Sequence, residues 1–199
     1  MLMLDLRGGH NAAFGGYASA AVQTLLCIYQ DLSIKGGAQY STIGKTSLGL
    51  RPEYAFATDW GYISAEALID YTNLSSVNSL SIGAGTHMSG KWIDFRLGYY
   101  YHLFGGKGGS IVEPFNVYYE LAANLLPMQE DWDLQLIITN CDLFELERHF
   151  QPSFIAQGLH YLHNGLGLSM GIGCKPAGMF NMSADNYQSY LKLGVLYRW

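Results

Sequence analysis

The chain has 199 residues, the size of one domain, and only 14% of them are charged, well below the roughly 25% of soluble domains. Its formal net charge of -5, without a basic cluster, argues against nucleic acid as a partner. No apolar run approaches the ~18 residues of a membrane-spanning helix, but a chain of this kind can still cross a membrane with alternating strands.

Apolar and polar residues alternate along most of the chain, which indicates strands with one apolar and one polar face. Short clusters of turn residues separate the alternating segments. We predict about twelve antiparallel strands, with about ten as the alternative. The expected ranges in chain order are Leu2–Gly9, Tyr17–Tyr29, Leu32–Ser41, Thr46–Ala57, Gly61–Thr72, Ser79–Met88, Trp92–Leu103, Phe115–Leu125, Trp132–Ile138, Ser153–Leu162, Leu166–Cys174 and Tyr187–Trp199.

The pattern is weaker in three places. Pro52 interrupts the fourth strand because it lacks a backbone N–H. The phase of the ninth strand breaks near Asn140, which predicts a bulge or a strand that rises above the bilayer over Cys141–Phe150. Gly105–Gly109 is glycine-rich, but it lacks the motif of a phosphate-binding loop and predicts a hairpin loop.

The composition of the two faces distinguishes a membrane barrel from a soluble barrel or sandwich. The polar face is rich in Gly, Ser and Ala with single charges, which suits a crowded interior better than a solvated surface. The apolar face has aromatic residues at both ends, as in the interfacial belts of membrane proteins. These residues are Tyr40, Tyr71, Tyr101 and Phe115 at one end and Phe56, Trp132, Tyr197 and Trp199 at the other. The sequence therefore predicts an all-β, transmembrane up-and-down barrel with its apolar face outward, formed by residues 1–199 as one domain.

The connections between strands predict the orientation of this barrel. Every second connection is tight, and outer-membrane barrels have short turns on the periplasmic side. The tight turns are Gln30–Asp31, Thr58–Trp60, Ser89–Lys91, Pro127–Asp131 and His163–Gly165. Both chain ends are therefore expected in the periplasm. The sequence opens directly in strand alternation without a secretory signal, so we expect a mature chain or one truncated at its N-terminus.

The last strand resembles a feature of bacterial outer-membrane β-barrel proteins as a class. Its apolar positions are Leu191, Leu193, Val195, Tyr197 and the terminal Trp199. They are similar to the C-terminal signal strand that the barrel-assembly machinery binds, although that strand most often ends in Phe. The resemblance implies a location in the outer membrane of a Gram-negative cell envelope. It also implies contact with outer-membrane lipid and with the assembly machinery as partners, but it identifies no subfamily.

Charged residues on the polar faces are the candidate functional residues. We expect them in the lumen, and they are Asp5, Arg7, Lys35, Arg51, Glu53, Glu66, Asp70, Asp94, Arg96, Glu120 and Lys192. Antiparallel pairing predicts that Arg51 lies near Glu66 and that Arg96 lies near Glu120. Two interpretations remain open: the pairs neutralise a narrow lumen, or they form a charged constriction that selects solutes.

The sequence gives little support for catalysis or for a cofactor. His87 is expected within diagonal reach of Asp94, but no Ser lies at a recognisable spacing from this pair, although Ser81 and Ser89 are nearby. His160 and His163 are three residues apart in a strand and so face opposite sides. The three cysteines, Cys27, Cys141 and Cys174, form no metal or redox motif. We therefore predict neither an enzyme nor a bound metal or cofactor.

Three functions follow from this architecture. The first is a small outer-membrane pore or a structural component of an envelope complex. The second is an outer-membrane enzyme that modifies lipid, and the third is a soluble ligand-binding barrel. The sequence does not identify a transported solute.

Overall fold

The computed structural model describes residues 1–75, 77–106, 108–141, 152–162, 164–176 and 186–199. These residues form twelve strands and contain no helix of the length and hydrophobicity needed to cross a bilayer. The strands are β1 (Leu2–Asn11), β2 (Gly15–Cys27), β3 (Leu32–Ser41), β4 (Lys45–Thr58), β5 (Gly61–Leu74), β6 (Val77–Gly90), β7 (Ile93–Gly106), β8 (Gly109–Asn124), β9 (Trp132–Thr139), β10 (Ser153–Tyr161), β11 (Leu166–Pro176) and β12 (Asn186–Tyr197).

The strands form one closed barrel in which each strand pairs with its neighbours in the sequence. All pairs are antiparallel, and β12 closes the barrel against β1, from Leu2 opposite Tyr197 to Asn11 opposite Gln188. The predicted fold class, an all-β up-and-down barrel of about twelve strands, is confirmed.

The two faces of the sheet point as predicted. Leu97, Val117 and Leu193 face outward with 44%, 41% and 50% of their surface exposed, whereas the inward-facing Arg96 is 8% exposed. In soluble proteins large apolar side chains are mostly buried. Their exposure on the outside of this barrel is typical of a surface that contacts hydrocarbon. The side chains predicted to form the two aromatic belts are all exposed.

The start of β8 was predicted six residues too late. β7 continues to Gly106 and β8 begins at Gly109, so most of the predicted loop Gly105–Gly109 belongs to strands. A bulge explains the error, because β8 has one residue more than β7 between the pairs Tyr100–Asn116 and His102–Glu113. Phe115, at this bulge, has a φ of 62°. The extra residue exchanges the inward and outward positions of β8 before Phe115. The alternation of apolar and polar residues there is therefore out of phase with the rest of the strand.

The other weak places in the pattern have different outcomes. β4 runs through Pro52 with the same register on both sides, from Leu50 opposite Ile69 to Glu53 opposite Glu66. Of the segment Cys141–Phe150, predicted as a bulge or a strand above the bilayer, all residues after Cys141 lie outside the described residues, as do His163 and residues 177–185 of the last loop.

Connection length does not distinguish the two ends of the barrel over its first eight strands. The connections at the end opposite the chain termini span residues 12–14, 42–44, 75–76 and 107–108. They have two or three residues each, whereas residues 28–31, 59–60 and 91–92 at the other end form connections of four, two and two residues, so the expected difference in length is absent there.

Tyrosine rings on the inner wall lie over glycines of neighbouring strands. A Cβ added at Gly98 or Gly85 would overlap the Tyr118 side chain, and one at Gly173 would overlap the Tyr190 ring. Tyr118 is 1% exposed and packs with Leu68, Tyr100 and Cys141. Because glycine has no side chain, it makes room for a large ring against the wall, and the ring then fills the lumen.

We expect Tyr118→Ala to lower the free energy of unfolding by about 3–5 kcal/mol, since it removes a fully buried ring. Tyr118→Phe keeps the ring and loses only the hydroxyl contact, so it should cost about 1–3 kcal/mol. The measurement is urea unfolding in detergent micelles, followed by tryptophan fluorescence and by the gel shift of unheated protein. Equal stability of wild type and Tyr118→Ala would contradict the packing.

Candidate functional site in the barrel lumen

The eleven charged residues predicted for the lumen all occupy inward-facing positions of their strands. Asp5, Arg7, Arg51, Glu66, Asp70, Arg96 and Lys192 are buried, and Lys35, Glu53, Asp94 and Glu120 are partly buried. They occupy β1, β3, β4, β5, β7, β8 and β12, so charges of both signs line much of the circumference.

Arg96 of β7 is the centre of the largest charge network. Its Nε lies 2.9 Å from Oε2 of Glu66 and its Nη1 lies 2.9 Å from Oε1 of Glu120. Glu120 is directly opposite Arg96 in the β7–β8 register, which confirms this predicted pair. Glu66 is on β5, two strands away, and it is within reach because the residue between them on β6, Gly85, has no side chain.

Arg51 and Glu66, in contrast, are only diagonal neighbours, and each binds another partner. The connection between β4 and β5 consists of Asp59 and Trp60 alone, so Thr58 already pairs with Gly61. In this register Glu66 lies directly opposite Glu53, and Arg51 is one diagonal step away. The Glu66 carboxylate is satisfied by Arg96 and by the Tyr118 hydroxyl, which donates to Oε1 over 3.0 Å.

The partner of His87 also differs from the prediction. His87 is opposite Arg96, which puts Asp94 at the predicted diagonal position, but Nδ1 of His87 lies 2.9 Å from Oε1 of Glu53 on β4. The same Glu53 oxygen accepts a hydrogen bond from the Ser64 hydroxyl. Glu66 and Glu120, which bind Arg96, and the His87–Glu53 pair therefore form one polar network that extends from β4 to β8.

Arg51 makes a contact across the lumen. Its Nη2 donates a hydrogen bond of 2.8 Å to the backbone carbonyl of Cys141, which follows β9. β4 and β9 are five strands apart in the barrel of twelve, so this bond crosses the interior. It connects nearly opposite walls and, with Tyr118 and Leu68 beside Cys141, narrows the lumen at this level.

A second layer of contacts involves β12 and its neighbours. The Arg7 guanidinium lies 3.9 Å from the centre of the Tyr190 ring, and Nζ of Lys192 lies 3.5 Å from Oδ2 of Asp5. Tyr190 packs with Tyr17 of β2 and Ile155 of β10. The described part of the lumen is therefore both polar and largely filled with side chains.

Several inward residues were missed by sequence reasoning. Lys45 and Lys175 are 4% and 1% exposed and lie just outside the predicted strand ranges. Their positions continue the inward phase of β4 and β11, so longer predicted strands would have included them. The Cys141 carbonyl could not have been found, since every residue has a carbonyl.

No arrangement of residues in the described structure indicates catalysis or metal binding. The Ser81 hydroxyl lies 3.5 Å from Nδ1 of His102, not beside His87. His160 Nδ1 contacts the carbonyl of Asp131 and its ring stacks on Trp132. The described residues contain no group of three or more His, Cys, Asp or Glu side chains that could hold a metal ion.

Comparison with solved structures identifies the fold. The KdgM porin, solved in complex with disordered oligogalacturonate, is similar over 99% of both chains, with a TM-score of 0.62 and 8% identity. The NanC porin is similar over 98% of this chain and 100% of its own, with a TM-score of 0.58 and 11% identity. The translocator domain of the autotransporter NalP from Neisseria meningitidis covers 100% of this chain with 87% of its own, at a TM-score of 0.54 and 13% identity.

The chain thus has the fold of bacterial outer-membrane β-barrels, as the pattern of its last strand predicted. No protein-family model matches the chain. No curated protein matches it in sequence either. At such low identities the similarity concerns the fold alone, and the same fold serves both porins and an autotransporter.

We expect Arg96→Met to lower the free energy of unfolding by about 3–5 kcal/mol, because it leaves two glutamates in the lumen without their cation. Adding Glu66→Gln and Glu120→Gln to Arg96→Met should recover part of this loss. Arg198→Met, at an exposed position, is the control and should change stability by about 0.5 kcal/mol or less. Urea unfolding of the four proteins tests the network. If Arg96→Met alone is as stable as wild type, the glutamates are solvated and the network does not hold the barrel.

Proposed function

We propose that this protein is a small-solute pore of the bacterial outer membrane with a narrow, charged constriction. The carrying observation is the combination of an apolar exterior with an interior that contains charges of both signs. Among the described residues, buried polar and charged side chains outnumber buried hydrophobic ones about two to one. A barrel with a purely structural role would be more stable with an apolar interior, because burying charged groups costs free energy.

The constriction acts on solutes through the residues that cross or line it. A permeating ion must pass the level at which Arg51 contacts the Cys141 carbonyl and at which Arg96 binds its glutamates. Rings of charged side chains select solutes by replacing part of their hydration shell and by repelling ions of like charge. A lumen narrowed in this way predicts a low conductance and a preference for small solutes.

The outer-membrane location and the assembly pathway belong to the same proposal. The outward side chains of β12, including Leu193 and Val195, are about half exposed and would contact lipid. This strand also closes the barrel. Before closure, the strand with its apolar pattern can be bound by the assembly machinery, and after closure it is paired with β1 and β11. The porin fold of similar structures supports both points.

Planar-bilayer recording tests the pore. We expect wild type to give small single-channel currents, and Arg51→Ala to give larger ones, since it removes the bond that crosses the lumen. Lys91→Ala is the control, because it also removes a positive charge and a long side chain, but in an exposed turn outside the lumen. It should leave the current unchanged. Absence of current in both wild type and Arg51→Ala, in protein that shows the gel shift of a folded barrel, would remove the pore.

A structural role in the envelope is the second candidate. The filled lumen favours it, because the Tyr118 and Tyr190 clusters leave little free space at two levels of the described barrel. In that case neither wild type nor Arg51→Ala conducts. Crosslinking in cells, followed by mass spectrometry of partners, would then identify the complex. A lipid-modifying enzyme gains no support, since His87 lies inside the lumen with Glu53.

A further inference from the structure

Two pairs of cations face each other directly on the inner wall of the barrel. Lys35 of β3 is opposite Arg51 of β4, and Arg7 of β1 is opposite Lys192 of β12. Like charges directly across a pair of strands are destabilising, and a partly buried position strengthens their repulsion. Such pairs need a counter-charge.

The counter-charge is present for one pair. Lys192 lies beside the Asp5 carboxylate, and the Arg7 guanidinium lies over the electron-rich face of the Tyr190 ring. A carboxylate and an aromatic face each favour a cation. The β12–β1 pair is therefore compensated by the protein itself.

The Lys35–Arg51 pair is different. The Arg51 side chain donates to a neutral carbonyl, and its Nε is buried without a hydrogen-bond partner among the described residues. Arg51 itself is only 6% exposed. The same part of the structure gives the Lys35 ammonium neither a hydrogen bond nor a salt bridge.

The wider surroundings of Lys35 are also mainly positive. Among the charged groups that act most on its ammonium, Arg51, Arg96 and Lys192 are cations and Glu120 is a carboxylate. Glu120 already accepts a hydrogen bond from Arg96. Asp70 of β5 also acts on Arg51. An excess of positive charge with an unused N–H donor therefore remains on the β3–β4 side of the lumen.

We propose that Lys35 and Arg51 bind one small oxyanion, the carboxylate or phosphate group of a solute, inside the lumen. A guanidinium presents a planar fork of N–H donors that matches two oxygens of such a group, and an ammonium adds a point charge beside it. The bound group would supply the missing counter-charge and accept the free Nε–H. This site deepens the pore proposed above by naming the charge class of solute that it favours, although binding itself does not require conduction.

Titration calorimetry with inorganic phosphate and with acetate, at constant ionic strength in sodium chloride, tests the site on the full folded chain. We expect phosphate and acetate to bind the wild-type protein. Lys35→Gln and Arg51→Gln should each lower the affinity for both anions about tenfold or more, because each removes one charge-assisted hydrogen bond. Lys35→Arg should restore binding. Lys91→Gln is the matched control, because it removes a lysine charge from an exposed turn, and it should bind as wild type does. Retention of the gel shift shows that each variant is folded.

Two results would overturn the site: no binding of either anion above the chloride background, or binding that Lys35→Gln and Arg51→Gln leave unchanged. The outcome is separable from that of the pore. Anion binding that depends on Lys35 in a barrel without conductance supports the site and removes the pore. Conductance without such binding removes the site and leaves the pore.

Discussion

Closure of the sheet between β1 and β12 is the constraint on which the rest of this structure depends. In a hydrocarbon environment an unpaired backbone N–H or C=O costs several kcal/mol, so a sheet there cannot have a free edge. The ten residue pairs from Leu2–Tyr197 to Asn11–Gln188 remove that edge. Once the sheet is closed, successive side chains must point alternately in and out, and the apolar half takes the outside.

The inside of the barrel then holds the polar half, and its organisation follows from burial. Arg96 is held between two glutamates, and Tyr118 fills the space over Gly98 that a side chain would otherwise occupy. A barrel of this size lies between small barrels filled by side chains and large water-filled ones. Its lumen combines both properties, since it is crossed by Arg51 and still lined by charges.

Local features of the fold could be predicted from the sequence, because they depend on the two-residue period and on neighbouring strands. The faces of β7 follow directly from the alternation in residues 93–103, and Arg96–Glu120 follows from the pairing of adjacent strands. The register of the β4–β5 hairpin places Arg51 and Glu66 diagonally, so each binds another partner although both lie on the predicted face. The bulge at Phe115 concealed the first part of β8 for a similar reason.

Contacts across the lumen could not be predicted in this way. The bond from Arg51 to the Cys141 carbonyl and the packing of Tyr17 with Ile155 join strands that are distant in the sheet. Such contacts depend on the diameter and stagger of the closed barrel, which a single strand does not encode. The candidate site was therefore predictable as a list of inward charges, but not as a set of partners.

The central claim, that the apolar face contacts lipid and the charged face does not, is tested most directly by spin labels along β7. Single cysteines at residues 93–103 of a variant without Cys27, Cys141 and Cys174 would each carry a nitroxide in a lipid bilayer. Collision with oxygen, which concentrates in hydrocarbon, should be high at the odd positions, such as Phe95 and Leu97, and low at the even ones, such as Arg96. The opposite phase, or no alternation between odd and even positions, would contradict the account.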